Sequence, residues 1–138
     1  MNHYTFEEIR VGQTERFTAH VTEAMMDFFR DISGDTNPLH TDRAYAQNAG
    51  HEDRVCYGML TASFLSTLAG VYLPGERALL QTVETEFVKP VYPGDVLTIE
   101  GTVTEKHDIF RYIRVKAIIT NQRGEKVCRA KLRTGVRA

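Results

Sequence analysis

One carboxylate and one imidazole lie five residues apart in the run Ser33, Gly34, Asp35, Thr36, Asn37, Pro38, Leu39, His40. A carboxylate and a neutral imidazole that share a water molecule supply a general base and a general acid, so the pair points to proton-transfer chemistry. The backbone between them is constrained. Pro38 fixes its own φ, lacks an N–H and steers Asn37 away from the α region, so the run must turn and cannot be continuous helix. The same residue types also build ordinary connecting loops, and spacing alone leaves loop and site as alternatives.

Other chemistry-bearing residues form weaker patterns. Asp42 and His51 add two possible ligands to Asp35 and His40, but no H-E-x-x-H or paired-ligand spacing is present, so no metal site is expected. His3, His20 and His107 lie outside the segment and read as solvated or strand-edge residues. The two cysteines, Cys56 and Cys128, are far apart and form no C-x-x-C pair. Reduced thiols in a cytoplasmic protein are the expectation. Cys56 reads as a small apolar filler rather than a reactive group.

The chain that must position these groups has 138 residues, enough for one domain over residues 1–138 with a substantial core. Its 42% hydrophobic and 25% charged content is that of a globular domain, and a net charge of -1 gives no general attraction to nucleic acid or membrane. The first residues have neither the basic nor the apolar region of a signal peptide. The most apolar stretch, Met59 to Leu73, is interrupted by Thr61, Ser63, Ser66, Thr67 and Gly70 and is too short to span a bilayer.

Periodicity locates the elements. A helix starts at the capping residue Thr22, carries Met25, Met26, Phe28, Phe29 and Ile32 at helical spacings, and ends near Gly34. A short amphipathic helix lies between Thr41 and Gly50. From about Tyr57 to Leu73 a longer helix is apolar around nearly its full circumference, so other structure must enclose it; Pro74 and Gly75 stop it. The period then changes to two. Val83, Thr85 and Phe87 alternate with Thr82, Glu84 and Glu86 as a half-buried strand, and a Pro93-Gly94-Asp95 turn leads to Leu97, Ile99 and Val103. Ile113, Val115, Ala117 and Ile119 mark a further strand. Asn121 to Gly124 form a hairpin turn before Cys128, Ala130 and Leu132, whose neighbours Arg129, Lys131 and Arg133 face outward. Another strand is expected near Glu15 to His20. The sheet needs a cover and the helix needs wrapping, so the predicted fold class is α+β, a curled antiparallel sheet around the Tyr57–Leu73 helix.

With these elements placed, the chain resembles the MaoC-like, (R)-specific enoyl-CoA hydratases of the hot-dog fold. The resemblance rests on Phe29, Ile32 and the Ser33-to-His40 run, followed by Tyr45 and Ala46, on Gly58-Met59-Leu60 opening the long helix, and on Phe87, Lys89, Pro90, Val91, Pro93, Gly94 and Asp95. It implies hydration of a trans-2-enoyl thioester to the (R)-3-hydroxyacyl thioester, or the reverse dehydration, with Asp35 and His40 as the acid–base pair. It implies no cofactor beyond the coenzyme A or acyl carrier protein that carries the acyl group, and a homodimer. The backbone N–H of Gly58, in the first turn of a helix, is the expected oxyanion donor. Ser66, by family position, and Ser63 are expected near the thioester carbonyl, although a serine bonding back to its own helix is the competing reading. Asn37 is expected to brace the loop. Arg114, Lys116, Arg129, Lys131 and Arg133 read first as a solvated sheet face and second as a partner for coenzyme A phosphates or an acidic carrier protein.

In one respect the chain departs from the family pattern. The family commonly has a histidine before the glycine that opens the long helix, and Tyr57 stands there, a change expected to tune pocket shape or support the loop. Two other functions remain as alternatives, an acyl thioesterase and a non-catalytic acyl-thioester binding module.

Overall fold

The computed structural model describes residues 1–138. Strand β1 spans Thr14–His20 and is followed by helix α1, Glu23–Ser33; two short helices, α2 (Pro38–Thr41) and α3 (Arg43–Asn48), precede the long helix. That helix is α4, Gly58–Thr67, continued by a π-helical turn at Leu68–Tyr72. Strands β2 (Ala78–Phe87), β3 (Val96–His107), β4 (Tyr112–Thr120) and β5 (Lys126–Val136) complete the chain. All neighbours pair antiparallel, in the order β1-β3-β4-β5-β2.

Alternation sets the two faces of the sheet. Leu97, Ile99 and Val103 of β3, all four predicted residues of β4, and Cys128, Ala130 and Leu132 of β5 are buried against Leu60, Leu65 and Leu68. Register shifts at Leu80/Thr82, Val103/Glu105 and Ile119/Thr120 interrupt the ladders, and such irregularities bend and twist strands. The π-helical turn and the sheet pack tightly at Gly101, where a Cβ would lie 2.8 Å from a Leu68 methyl carbon and 3.0 Å from one of Val115. A side chain there would force these residues to repack. The outer face carries the basic residues as expected. Arg129 pairs with Glu86 at 2.7 Å and Arg114 with Glu105 at 3.1 Å, while Lys116, Lys131 and Arg133 form no salt bridge.

Helix α1 has the predicted ends. Thr22 Oγ1 accepts from the Met25 N–H at 3.1 Å, and Gly34, at φ 72°, donates its N–H to the Arg30 carbonyl. Asn37 caps α2 with Pro38 in its first turn, and Asp42 caps α3.

Four expectations are corrected. The long helix is not enclosed all round. Met59, Ser63 and Ser66 form one open stripe, because only the side carrying Leu60, Thr61, Leu65 and Leu68 meets the sheet and loops. Its last turn is π-helical, which the sequence pattern did not indicate. On β2, Val83 and Phe87 are exposed rather than half-buried: β2 is the end strand, its outer edge has no partner, and the sheet's core lies under β3 to β5. Phe28 and Ile32 of α1 are also exposed, because they lie on the side of its apolar arc turned away from the buried Met26. No helix is long and apolar enough to cross a membrane.

Candidate active site

The run from Ser33 to His40 links α1 to α2 and is organised mainly by its own side chains. Ser33 Oγ donates to the Phe29 carbonyl at 2.8 Å and accepts from the Asp35 N–H at 3.2 Å. Asp35 Oδ1 accepts from the Asn37 N–H at 3.0 Å, and Asn37 Oδ1 accepts from the Leu39 N–H at 2.9 Å. These Asx-type turns are local alternatives to helix that serine, aspartate and asparagine readily supply. Asn37 therefore braces the loop, as expected. The carboxylate of Asp35 is exposed, and its second oxygen has no hydrogen-bond partner within the chain.

His40 is half-buried. Its Nδ1 lies 2.6 Å from the Val55 carbonyl, which can only accept, so Nδ1 carries a proton. That fixes Nε2 as the working nitrogen: a lone pair in the neutral ring, an N–H donor in the imidazolium. The Val55 N–H in turn donates to the Leu39 carbonyl at 3.0 Å, so the 39–40 and 55 segments hold each other from both sides. Asp35 and His40 make no direct hydrogen bond to each other.

Tyr57 connects the two. Its ring stacks on the His40 ring with centroids 4.1 Å apart, and its hydroxyl donates to the Asp35 backbone carbonyl at 2.6 Å. Phe29 of α1 tilts against the other part of the ring at 4.9 Å. Only 2% of Tyr57 is exposed. Burial, then the charge of Asp35, push its phenol up, so the hydroxyl stays protonated and remains a donor. The residue that departs from the family pattern supports the loop.

Helix α4 begins immediately after Tyr57, with no side-chain cap. The Tyr57 carbonyl accepts from the Leu60 and Thr61 N–H groups, while the N–H groups of Gly58 and Met59 have no partner in the chain. Two free first-turn amides at the positive end of a helix can receive a developing negative charge. The fit at Gly58 is close: a Cβ there would lie 3.1 Å from the Phe87 ring, which would have to give by a few tenths of an ångström. A cavity of about 320 Å³ beside Gly58 is lined chiefly by Val55, Cys56, Thr61, Phe87, Val88 and Val91. Asp35 and His40 are not among its lining residues.

The serines sit elsewhere. Ser63 Oγ donates to the Leu60 carbonyl at 2.6 Å, the helix back-bond that competes with a binding role, and Ser66 is exposed on the open stripe of α4 with no hydrogen-bond partner. Cys56 is buried with its thiol pushed up to about 12 by desolvation, which makes it the expected inert filler. No three His, Cys, Asp or Glu side chains converge, and His51 turns to the Tyr92 hydroxyl at 3.3 Å.

Sequence reasoning missed Arg54. Its guanidinium, 12% exposed, reaches Asp27 at 3.4 Å and Glu23 at 3.5 Å on α1 and the His40 carbonyl at 3.5 Å. Glu23 and Asp27 are one helical turn apart, which was the available signal for a shared cation.

A five-stranded sheet curled over one helix, with a carboxylate and an imidazole on the loop beside the start of that helix, defines a hot-dog domain. The chain belongs to the MaoC-like domain family, whose model matches residues 7–123. It is 38% identical over 102 residues to the (R)-specific enoyl-CoA hydratase of Rhodospirillum rubrum, covering 74% of this chain and 70% of that protein. To the (R)-specific enoyl-CoA hydratase of Aeromonas caviae it is 37% identical over 98 residues, covering 71% and 73%. The unliganded R-hydratase of Pseudomonas aeruginosa superposes with a TM-score of 0.91 at 30% identity, covering 96% of this chain and 85% of that one. The A. caviae (R)-hydratase superposes at 0.90 with 30% identity, covering 94% and 98%.

Proposed function

We propose that this protein is a hydro-lyase that adds water to a trans-2-enoyl thioester to give the (R)-3-hydroxyacyl thioester, or removes it in reverse. The observation that carries the reading is the shared anchor of the dyad: one buried phenol contacts both the Asp35 backbone and the His40 ring and directly precedes a helix start with free amides. In hydration, a water held between the free oxygen of Asp35 and Nε2 of His40 attacks C3. Asp35 takes a proton from the water as the base, and His40 orients that water through the Nε2 lone pair or, as the imidazolium, gives its Nε2 proton to C2 as the acid; transfer of a proton between the two residues then restores the starting state, and in a coupled pair the roles can be shared or reversed. Charge that grows on the thioester oxygen is met by the Gly58 N–H. Ser66 lies about 12 Å along the helix axis from Gly58 and Ser63 is bonded back to its own helix, so neither serine stands beside the Gly58 N–H at the helix start. The chemistry calls for no resident cofactor, because the coenzyme A or carrier-protein thioester itself activates C3.

The exposed apolar residues support a homodimer. Val83 and Phe87 on the unpaired end strand β2 and Met59 on the open stripe of α4 are exposed apolar residues that a second copy covers by sheet extension and helix-to-helix contact. The buried free thiols of Cys56 and Cys128 suit the cytoplasm.

Incubation with a short trans-2-enoyl-CoA tests the reading. Loss of the conjugated-enoyl absorbance without release of free thiol is expected. Thiol release would make the protein a thioesterase, and no change would make it a binding module.

A further inference from the structure

We infer that Tyr57 is a positioning residue, which holds the Asp35 carboxylate in register with His40 and with the start of α4 during proton transfer. This rests on the hydratase reading of the site.

Connectivity singles out this side chain. Residues 35–38 are exposed, so burial does not hold them. Their hydrogen bonds are the turns to Ser33, Leu39, His40, Thr41 and Asp42, all within the same short stretch, with a single exception: the Tyr57 hydroxyl to the Asp35 carbonyl. Local turns fix the shape of a loop without fixing where it sits. The phenol supplies that second kind of constraint for the Asp35 end.

The His40 end is held separately, through Nδ1 to the Val55 carbonyl and through Arg54 to its own carbonyl. Tyr57 itself is buried and held at both backbone and ring. Its backbone carbonyl is bonded into the first turn of α4, and its ring lies between Phe29 and His40. The side chain therefore transmits the position of α4 to Asp35, while the adjacent Gly58 N–H takes the same reference point. Base, imidazole and oxyanion donor share one residue as their datum. A displacement of about 1 Å at a reacting group can cost on the order of a hundredfold in rate.

Tyr57→Phe removes the hydroxyl and keeps the stacked ring. With trans-2-enoyl-CoA as substrate and temperature well below the variant's Tm, kcat is expected to fall about tenfold to a hundredfold with KM within about twofold of wild type. In parallel, NMR order parameters of the residue 35–37 amides should drop from near the rigid value of about 0.85 toward about 0.6, with β4 amides unchanged. Tyr57→Met, an apolar filler without a hydroxyl, carries the same expectation if the phenylalanine variant does not fold. An unchanged kcat, or an unchanged loop mobility, overturns the proposal. A raised KM with kcat intact also overturns it, because the phenol would then be a substrate contact. Inactive wild-type protein overturns the hydratase reading and the positioning role with it, and the order parameters then report separately whether the phenol tethers the loop.

Discussion

Strand β4 turns Ile113, Val115, Ala117 and Ile119 into the core with 1% exposure or less, whereas residues 35–38 are exposed and tied down by side-chain hydrogen bonds and one remote phenol. Both regions hold their side chains in defined positions. In the strand, position follows from the same burial that stabilises the fold, so a defect there is a defect in folding. In the loop, position rests on a few polar bonds that contribute little to global stability, so a defect there is a defect in geometry. Activity and stability are therefore separable in this molecule, and substitutions in the two regions should move different observables.

The largest effect is expected from the dyad. Asp35→Asn and His40→Gln should each lower kcat by about 10² to 10⁴, as loss of a positioned acid or base does, while Tm stays close to wild type. Near-wild-type turnover in both variants would remove the loop from the chemistry. Next comes the strand: Ile113→Ala should cost about 2–5 kcal/mol of unfolding free energy in denaturant titration, with kcat per folded molecule retained. A fall in kcat as large as that of the dyad variants would erase the contrast.

Tyr57→Phe lies between the regions, because its lost atom is buried while its partner belongs to the loop. About 1–2 kcal/mol of stability should go with that bond in the same titration. Val83→Lys on β2 should change the stability of the isolated chain by no more than about 0.5 kcal/mol, as exposed substitutions generally do. It should nevertheless lower the sedimentation coefficient if β2 is the dimer edge, and make Tm independent of protein concentration.

The smallest effect concerns pH. Glu125 is held down at about 2, first by Lys89, then by Arg123 and Asn121. A carboxyl lowered by folding contributes stability that is complete above its ordinary value of 4.5 and is lost as pH falls through about 2. Glu125→Gln should flatten Tm against pH across that window by lowering Tm slightly at neutral pH and leaving it unchanged near pH 2, a small effect because solvent screens the partly exposed group.

The interior of the fold was legible because burial writes itself as periodicity. Ile113 to Ile119 and Cys128 to Leu132 alternate as strands with one face in the core must, and Thr22 and Gly34 mark the ends of α1 by their types. The same rule misread β2. Val83, Thr85 and Phe87 alternate just as regularly, but alternation reports only that a face is apolar and does not say what covers it. At the proposed site, residue type and the family resemblance single out Asp35, His40 and Gly58, and the bracing role of Asn37 follows from its type. The anchor could not. Tyr57 meets Asp35 across 22 residues, and Arg54 reaches α1 across 27, and no local spacing rule encodes contacts that tertiary packing alone creates.

The π-helical turn at Leu68–Tyr72 takes one more residue per turn than an α-helix would need to cover the same height. It therefore absorbs an extra residue locally, without turning the chain beyond it out of phase. Tyr72, at its end, stacks flat on Phe17 of β1 with centroids 4.7 Å apart. Deleting a single residue from this turn and letting it relax to α-helix would leave the chain beyond it nearly in phase, with Tyr72 still facing Phe17. The same deletion inside α4, where no spare residue is held, would rotate everything beyond it by about 100°, so the π turn is the one place along this helix where the fold tolerates a change in residue count.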